Sequence, residues 1–216
     1  MAILNMVYYT VESWWKPWAN TMIYYPFRWD ISDHSGNNRN ATASWTVVYQ
    51  TNYIDLSNAS LTFPLLTYSC PFTVSIWYNL FSERSADYRF VYWISGSNII
   101  SNIMIWHKYN WGYVVQTDKP SFKDLQLWTQ SPVSARYDWV WHNVISSFST
   151  SGTSFYKDGV LLWTNTWWTG SDTAVGSDIN SSMQWMYCWE FIIDGTAWTQ
   201  QEVTDYYNLT KSNYWL

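Results

Sequence analysis

Short runs of alternating β-branched and aromatic residues, each closed by a cluster of Ser, Asn, Asp, Gly or Pro, constrain this chain more than any other feature. They predict strands over Met22–Phe27, Ser44–Tyr49, Phe72–Phe81, Tyr88–Ile94, Asn102–Trp106, Gly112–Gln116, Leu125–Thr129, Trp141–Phe148, Ser154–Lys157, Val160–Asn165 and Met186–Ile193. The helical patterns that would separate parallel strands are missing, so the runs point to an antiparallel sandwich or barrel. Two local signals are sharper. Asp158-Gly159, between Phe155-Tyr156-Lys157 and Val160-Leu161-Leu162, supplies the two positive-φ positions of a type I′ turn, which predicts a hairpin. Thr199-Gln200-Gln201-Glu202 reads as a capping box, with Val203, Tyr206 and Tyr207 at helical spacing behind it, so one short C-terminal helix should lie on the sandwich by one face. Residues 1–21, with Trp14, Trp15 and Trp18, are less regular and read as an N-terminal arm or leading strand; 22–216 read as one domain.

Charge excludes several function classes. Only 12% of the 216 residues are charged, and the 11 Lys and Arg against 16 Asp and Glu give a net charge of −5 without any block of like charge. No basic patch for nucleic acid is present. No apolar run approaches a membrane span, and Met1–Tyr9 lacks the basic region and small-residue cleavage site of a secretory signal. Cys70 and Cys188 are too few for a disulfide framework and too far apart for a metal site, and they read as two buried thiols rather than a bridge.

From Tyr24-Tyr25-Pro26-Phe27 and Asp33-His34-Ser35-Gly36-Asn37 onward, the chain resembles the laminin G-like domains of the concanavalin A-like lectin/glucanase superfamily. Phe72-Thr73-Val74-Ser75-Ile76-Trp77 resembles the family's central strand. Val140-Trp141-His142-Asn143-Val144 resembles its Trp-His strand, and Tyr156-Lys157-Asp158-Gly159-Val160 the hairpin that follows. Glu190-Phe191-Ile192-Ile193 and Ala197-Trp198-Thr199-Gln200-Gln201-Glu202 resemble its last strand and closing helix, so the likeness runs from about residue 22 to 210. It implies an all-β, two-sheet antiparallel jelly-roll sandwich with a short C-terminal helix. The sequence departs from the family at Cys188-Trp189-Glu190, where an Ile-Asp-Glu step is common, and so loses a carboxylate that could support a structural calcium ion.

The composition carries one anomaly. Eight glycines accompany nineteen tryptophans, whereas an average domain of this length holds about fifteen glycines. Trp18, Trp29, Trp45, Trp167, Trp168 and Trp215 fall where the family has glycine or where a turn favours it. One reading is a gene in which UGA encodes glycine but has been translated as tryptophan, with Trp77, Trp141 and Trp198 genuine. The other is an aromatic-rich binding surface.

For chemistry, a glycosidase on this fold needs two carboxylates flanking the scissile bond. Glu83, Glu190 and Glu202 each lack a second carboxylate two positions away, which argues against a glycan hydrolase and leaves no catalytic residue to assign. Neither a nucleophile elbow nor a nucleotide-binding fingerprint occurs. His142 reads as a packed or hydrogen-bonded structural residue. Trp106, His107, Tyr109, Asn110 and Trp111 cluster between strands and supply the aromatic faces and polar groups that bind sugars, although such clusters also serve packing. Asp33 and Asn37 place hard oxygens together on a turn, as calcium requires, and the competing reading is an Asx-turn capped by Asp33. The sequence therefore predicts a non-catalytic recognition module for glycans or a cell-surface protein, outside a cell or on a virion. The alternative is a structural or adhesive domain of a larger assembly.

Overall fold

The computed structural model describes residues 19–57, 59–69, 71–80, 88–94, 102–108, 112–118, 140–165, 173–179 and 186–214. Its strands are β1 (Thr21–Tyr25), β2 (Thr42–Ala43), β3 (Val48–Tyr49), β4 (Ile54–Asp55), β5 (Leu61–Ser69), β6 (Phe72–Leu80) and β7 (Tyr88–Ile94). They continue as β8 (Asn102–Lys108), β9 (Gly112–Asp118), β10 (His142–Ser149), β11 (Gly152–Lys157), β12 (Val160–Asn165), β13 (Thr173–Ile179) and β14 (Met186–Asp194). Helix α1 (Gln200–Thr210) follows, then one 3-10 turn, Lys211–Tyr214. An eight-stranded sheet runs β12-β11-β10-β6-β14-β4-β3, with β1 also on β14; a six-stranded sheet runs β2-β5-β13-β7-β8-β9. This is the expected all-β antiparallel architecture with one C-terminal helix.

Differences from the predicted strands have local causes. Ser44–Tyr49 was expected to be one strand, but only Val48–Tyr49 of it forms one, β3; a bend at Ser44-Trp45 separates it from β2, which belongs to the other sheet. Strand β5 is absent from the predictions because its sequence, LTFPLLTYS, carries Pro64, which lacks the ladder N–H. Proline is tolerated there because the β5–β13 register slips between the Val175–Thr67 and Ser177–Phe63 pairs, so Pro64 falls in the irregular stretch. The predicted strand at Leu125–Thr129 lies outside the described residues, as do residues 1–18 of the expected arm; β1 begins at Thr21, inside the span assigned to that arm.

The sandwich core lies on the inner face of β6 and β14. Phe72, Val74, Ile76 and Tyr78 alternate along β6, and Met186, Cys188, Phe191 and Ile193 line β14, packing with Ile23, Tyr25 and Phe63. Unlike a half-exposed strand, β6 is buried on both faces from Phe72 to Asn79. Its outer face carries Trp77 into a second cluster with Ile145, Trp189, Ile192, Trp198, Val203 and Tyr206, which α1 covers. Burying these aromatic side chains is worth about 2 kcal/mol each in area removed from water. Trp77, Trp198 and half-buried Trp141, the tryptophans expected to be genuine, all pack in or against this cluster. Cys188 is a buried free thiol whose pKa burial pushes up; Cys70 lies outside the described residues.

The two sharp local signals are both present. Asp158 (φ 51°) and Gly159 (φ 78°) take the left-handed conformations of the type I′ turn between β11 and β12. Thr199 Oγ1 accepts from the Glu202 N–H at 3.3 Å and Glu202 Oε2 accepts from the Thr199 N–H at 2.7 Å, which closes the capping box at the start of α1. Helix and hairpin are also fastened together. Gln200 Nε2 donates to the Gly159 carbonyl at 2.9 Å, and a Cβ at Gly159 would stand 2.9 Å from Tyr207 Cδ1. Tyr207 in turn stacks on Trp77, with ring centroids 5.6 Å apart.

Candidate functional site

The Asp33 loop begins where β1 ends. Tyr25 and Phe27 are buried aromatics at that end, and Phe27 (φ 49°) turns the chain off the sheet. The returning loop runs back along the free edge of β1. Asp33 Oδ1 accepts from the Tyr24 and Ser35 amides at 3.0 and 2.9 Å; Oδ2 accepts from the Arg39 amide and the Ser35 hydroxyl, both at 2.9 Å. Asn37 Nδ2 donates to the Thr21 and Met22 carbonyls at 3.0 and 3.1 Å, and Arg39 Nη1 donates to the Met22 carbonyl at 2.9 Å. The loop therefore satisfies the edge groups that β1 would otherwise expose. Asp33 and Asn37 are linked through Ser35, whose hydroxyl donates to Asp33 Oδ2 and accepts from Asn37 Nδ2, and four protein donors engage the Asp33 oxygens in the Asx-turn manner.

Other carboxylates are committed in the same way. Asp158 Oδ1 accepts from the Asn143 amide at 2.9 Å, and its Oδ2 lies 2.8 Å from His142 Nδ1, so His142 is a hydrogen-bonded residue of the β10 start. Asp194, fully buried, accepts from Thr21 Oγ1 at 3.1 Å and from the Thr196 amide at 3.0 Å. Asp55 accepts from the Ser57 amide at 2.8 Å. Among the described residues, no three or more His, Cys, Asp or Glu side chains group to hold a metal ion.

Glu190 is different. The β6–β14 register shifts between Cys188 and Glu190, so Trp189 is the extra residue of a β-bulge. Glu190 is 7% exposed, and its two oxygens accept from phenols: Oε2 from Tyr24 at 3.2 Å and Oε1 from Tyr206 in a short hydrogen bond. Burial pushes its pKa up to about 7, against the opposing pull of the Tyr206 and Tyr24 hydrogen bonds and of Arg28. The Tyr24 and Tyr206 phenols are pushed up as well, first by burial and then by the Glu190 charge. Sequence reading did not single out this group, because its members are brought together only by the bulge and the docked helix.

Of the expected sugar-binding cluster, Trp106 and His107 lie on β8, paired with Val114 and Tyr113 of β9 and with Phe90 and Arg89 of β7. His107 falls inside the strand, which runs to Lys108 rather than ending at Trp106. Tyr109, Asn110 and Trp111 belong to the β8–β9 connection and lie outside the described residues. Strand β8, with Trp106 and His107, lies next to β9 in the six-stranded sheet, whereas the Asp33 loop borders the eight-stranded one. Among the described residues, Trp29 and Trp45, 69% and 75% exposed, are large aromatics offered to solvent, together with Tyr49.

The sequence matches no protein-family model, and no curated protein matches it. Solved structures do match in shape. Domain 4 of AbnA, an extracellular GH43 arabinanase from Geobacillus stearothermophilus solved with arabinotriose, superposes with a TM-score of 0.68 at 16% identity, over 86% of this chain and 97% of that one. The receptor-binding domain of botulinum neurotoxin type G gives 0.67 at 14% identity, over 89% of this chain and 52% of that one. The binding domain of Paraclostridial Mosquitocidal Protein 1 gives 0.66 at 16% identity, over 88% and 52%. This chain spans about half the length of these two toxin domains. No described helix is long and apolar enough to cross a membrane. At these identities the likeness establishes the fold, which is the concanavalin A-like β-sandwich.

Proposed function

We propose that this chain is a non-catalytic recognition module of the laminin G-like kind, binding a glycan or a cell-surface partner outside a cell or on a virion. The observation that carries this reading is the match to AbnA domain 4, a structure with arabinotriose bound, over nearly the whole of both chains. Fold alone does not decide function, but the carboxylates add support. Asp33, Asp55, Asp158, Glu190 and Asp194 all accept hydrogen bonds that hold backbone or packed elements in place. The proposed contact surface is the β8–β9 connection, with Trp106, His107, Tyr109, Asn110 and Trp111 offering ring faces and polar groups to sugar rings. In this reading the Asp33 loop needs no calcium, because its oxygens are held by protein donors.

A glycan array probed with the wild type, Trp106→Ala and Trp111→Ala tests the assignment. Binding that falls at least tenfold in both variants supports it; binding unchanged in both removes the site. The exposed Trp29, Trp45, Val48 and Tyr49 favour a second reading, an adhesive domain joined to a larger assembly through protein contacts. A silent array combined with self-association favours that reading. Release of product from polysaccharide would overturn both.

A further inference from the structure

We propose that Glu190, Tyr24 and Tyr206 form a proton-sensitive clamp that locks α1 onto the outer face of the eight-stranded sheet, across β14 and β1. The three groups come from three elements, and one carboxyl joins them: Glu190 on β14 receives the Tyr24 hydroxyl from β1 and the Tyr206 hydroxyl from α1. The site is closed over by aromatic packing. Trp198 lies 5.2 Å from the Tyr206 ring, and Val203 and Trp189 belong to the same cluster.

Among the described residues, few groups with charge or a titratable proton act on this carboxyl. Arg28, just beyond β1, is the cation that favours its ionised form, while the Cys188 thiol on β14 is buried beside it. From β6 comes Ser75, whose hydroxyl bonds Tyr206 and receives Asn143 Nδ2 at 3.2 Å. Ionised, Glu190 accepts from both phenols. Protonated, it must donate its own proton, so one phenol has to reverse from donor to acceptor. The change in charge thus rearranges the bonds that fasten the helix, and α1 carries it to the Gly159 turn through Gln200 and Tyr207.

The direction follows from linkage. Burial raises the folded-state pKa of Glu190 above its ordinary value, so folding favours the protonated form. The stabilisation is complete below the ordinary carboxylate pKa and is lost as pH rises through the folded-state value of about 7. The clamp is therefore tighter at pH 5 than at pH 8.

Two measurements on the full chain test it. The carboxyl 13C resonance of Glu190 should titrate near neutrality. Amide hydrogen exchange of α1, corrected for intrinsic rates, should show opening that increases on the order of tenfold between pH 5.5 and 8, and this increase should vanish in Glu190→Gln. A Glu190 midpoint in the ordinary carboxylate range overturns the proposal. So does an α1 exchange profile with the same pH dependence in wild type and Glu190→Gln. If Glu190→Gln does not fold, Tyr206→Phe replaces it: Glu190 should still titrate, but the pH response of α1 should shrink, and an unchanged response counts against the clamp.

Discussion

Asp33 and Glu190 both hold Tyr24, the first through its backbone amide and the second through its hydroxyl. Asp33 faces three backbone N–H groups and one hydroxyl, all within nine positions of it in sequence. Glu190 faces two side-chain phenols, 166 and 16 positions away. Backbone donors exist whatever the side chains are, and an edge strand must satisfy them. Phenol donors exist only because tyrosine was selected at those sites. The loop carboxylate therefore answers an obligation of the fold, while the sheet carboxylate and its partners form an optional polar group inside an aromatic cluster.

The difference predicts unequal responses to removal. Asp33→Ala leaves the Tyr24, Ser35 and Arg39 amides without their acceptor and frees the loop from β1, so urea unfolding should show a loss of about 3 kcal/mol. No second substitution can repair this, because the donors belong to the main chain. Melting of the wild type should not respond to a calcium chelator; a chelator-dependent shift that disappears in Asp33→Ala would return the loop to the role of an ion site.

Glu190 should behave otherwise. Glu190→Leu removes the acceptor of the Tyr206 and Tyr24 hydroxyls and should destabilise by about 2 kcal/mol. Adding Tyr24→Phe and Tyr206→Phe removes those donors too, and the triple variant should return to within about 1 kcal/mol of the wild type, since a buried polar group replaced by well-packed apolar residues is often neutral. Failure of that rescue in denaturant titrations would mean that the phenols do more than answer Glu190.

The same contrast explains what could be read from the chain. The Asx-turn at Asp33, the Asp158-Gly159 hairpin and the Thr199–Glu202 capping box each rest on residues a few positions apart, and all three were legible. Cys188-Trp189-Glu190 was read as the loss of a family carboxylate. The structure shows a bulge at Trp189 beside a carboxyl bonded to Tyr24 and Tyr206, which local sequence cannot display because the bulge depends on pairing with Tyr78 and Trp77. Strand β5 was hidden for a related reason: Pro64 is acceptable only where the β13 register slips. At the expected sugar site, Trp106 and His107 are consecutive residues of β8.

The smallest expected effect concerns the tryptophans. Trp77 and Trp198 are 0% and 3% exposed and sit under α1, whereas Trp29 and Trp45 are 69% and 75% exposed and belong to neither apolar cluster. A side chain that buries little area contributes little to stability. Trp29→Gly and Trp45→Gly should each change unfolding free energy by no more than about 1 kcal/mol, chiefly through the added freedom of glycine in the unfolded chain. Trp77→Gly should cost several times as much, since it empties the space between β6 and the Tyr207 ring. Exposure of this kind is what a glycine position filled on paper by tryptophan would show, and also what a binding aromatic would show. The codons separate the two: UGA at Trp29 and Trp45 with UGG at Trp77 and Trp198 assigns glycine to the first pair. UGG throughout leaves both exposed indoles as recognition residues, whose removal should then weaken partner binding while leaving the melting temperature nearly unchanged.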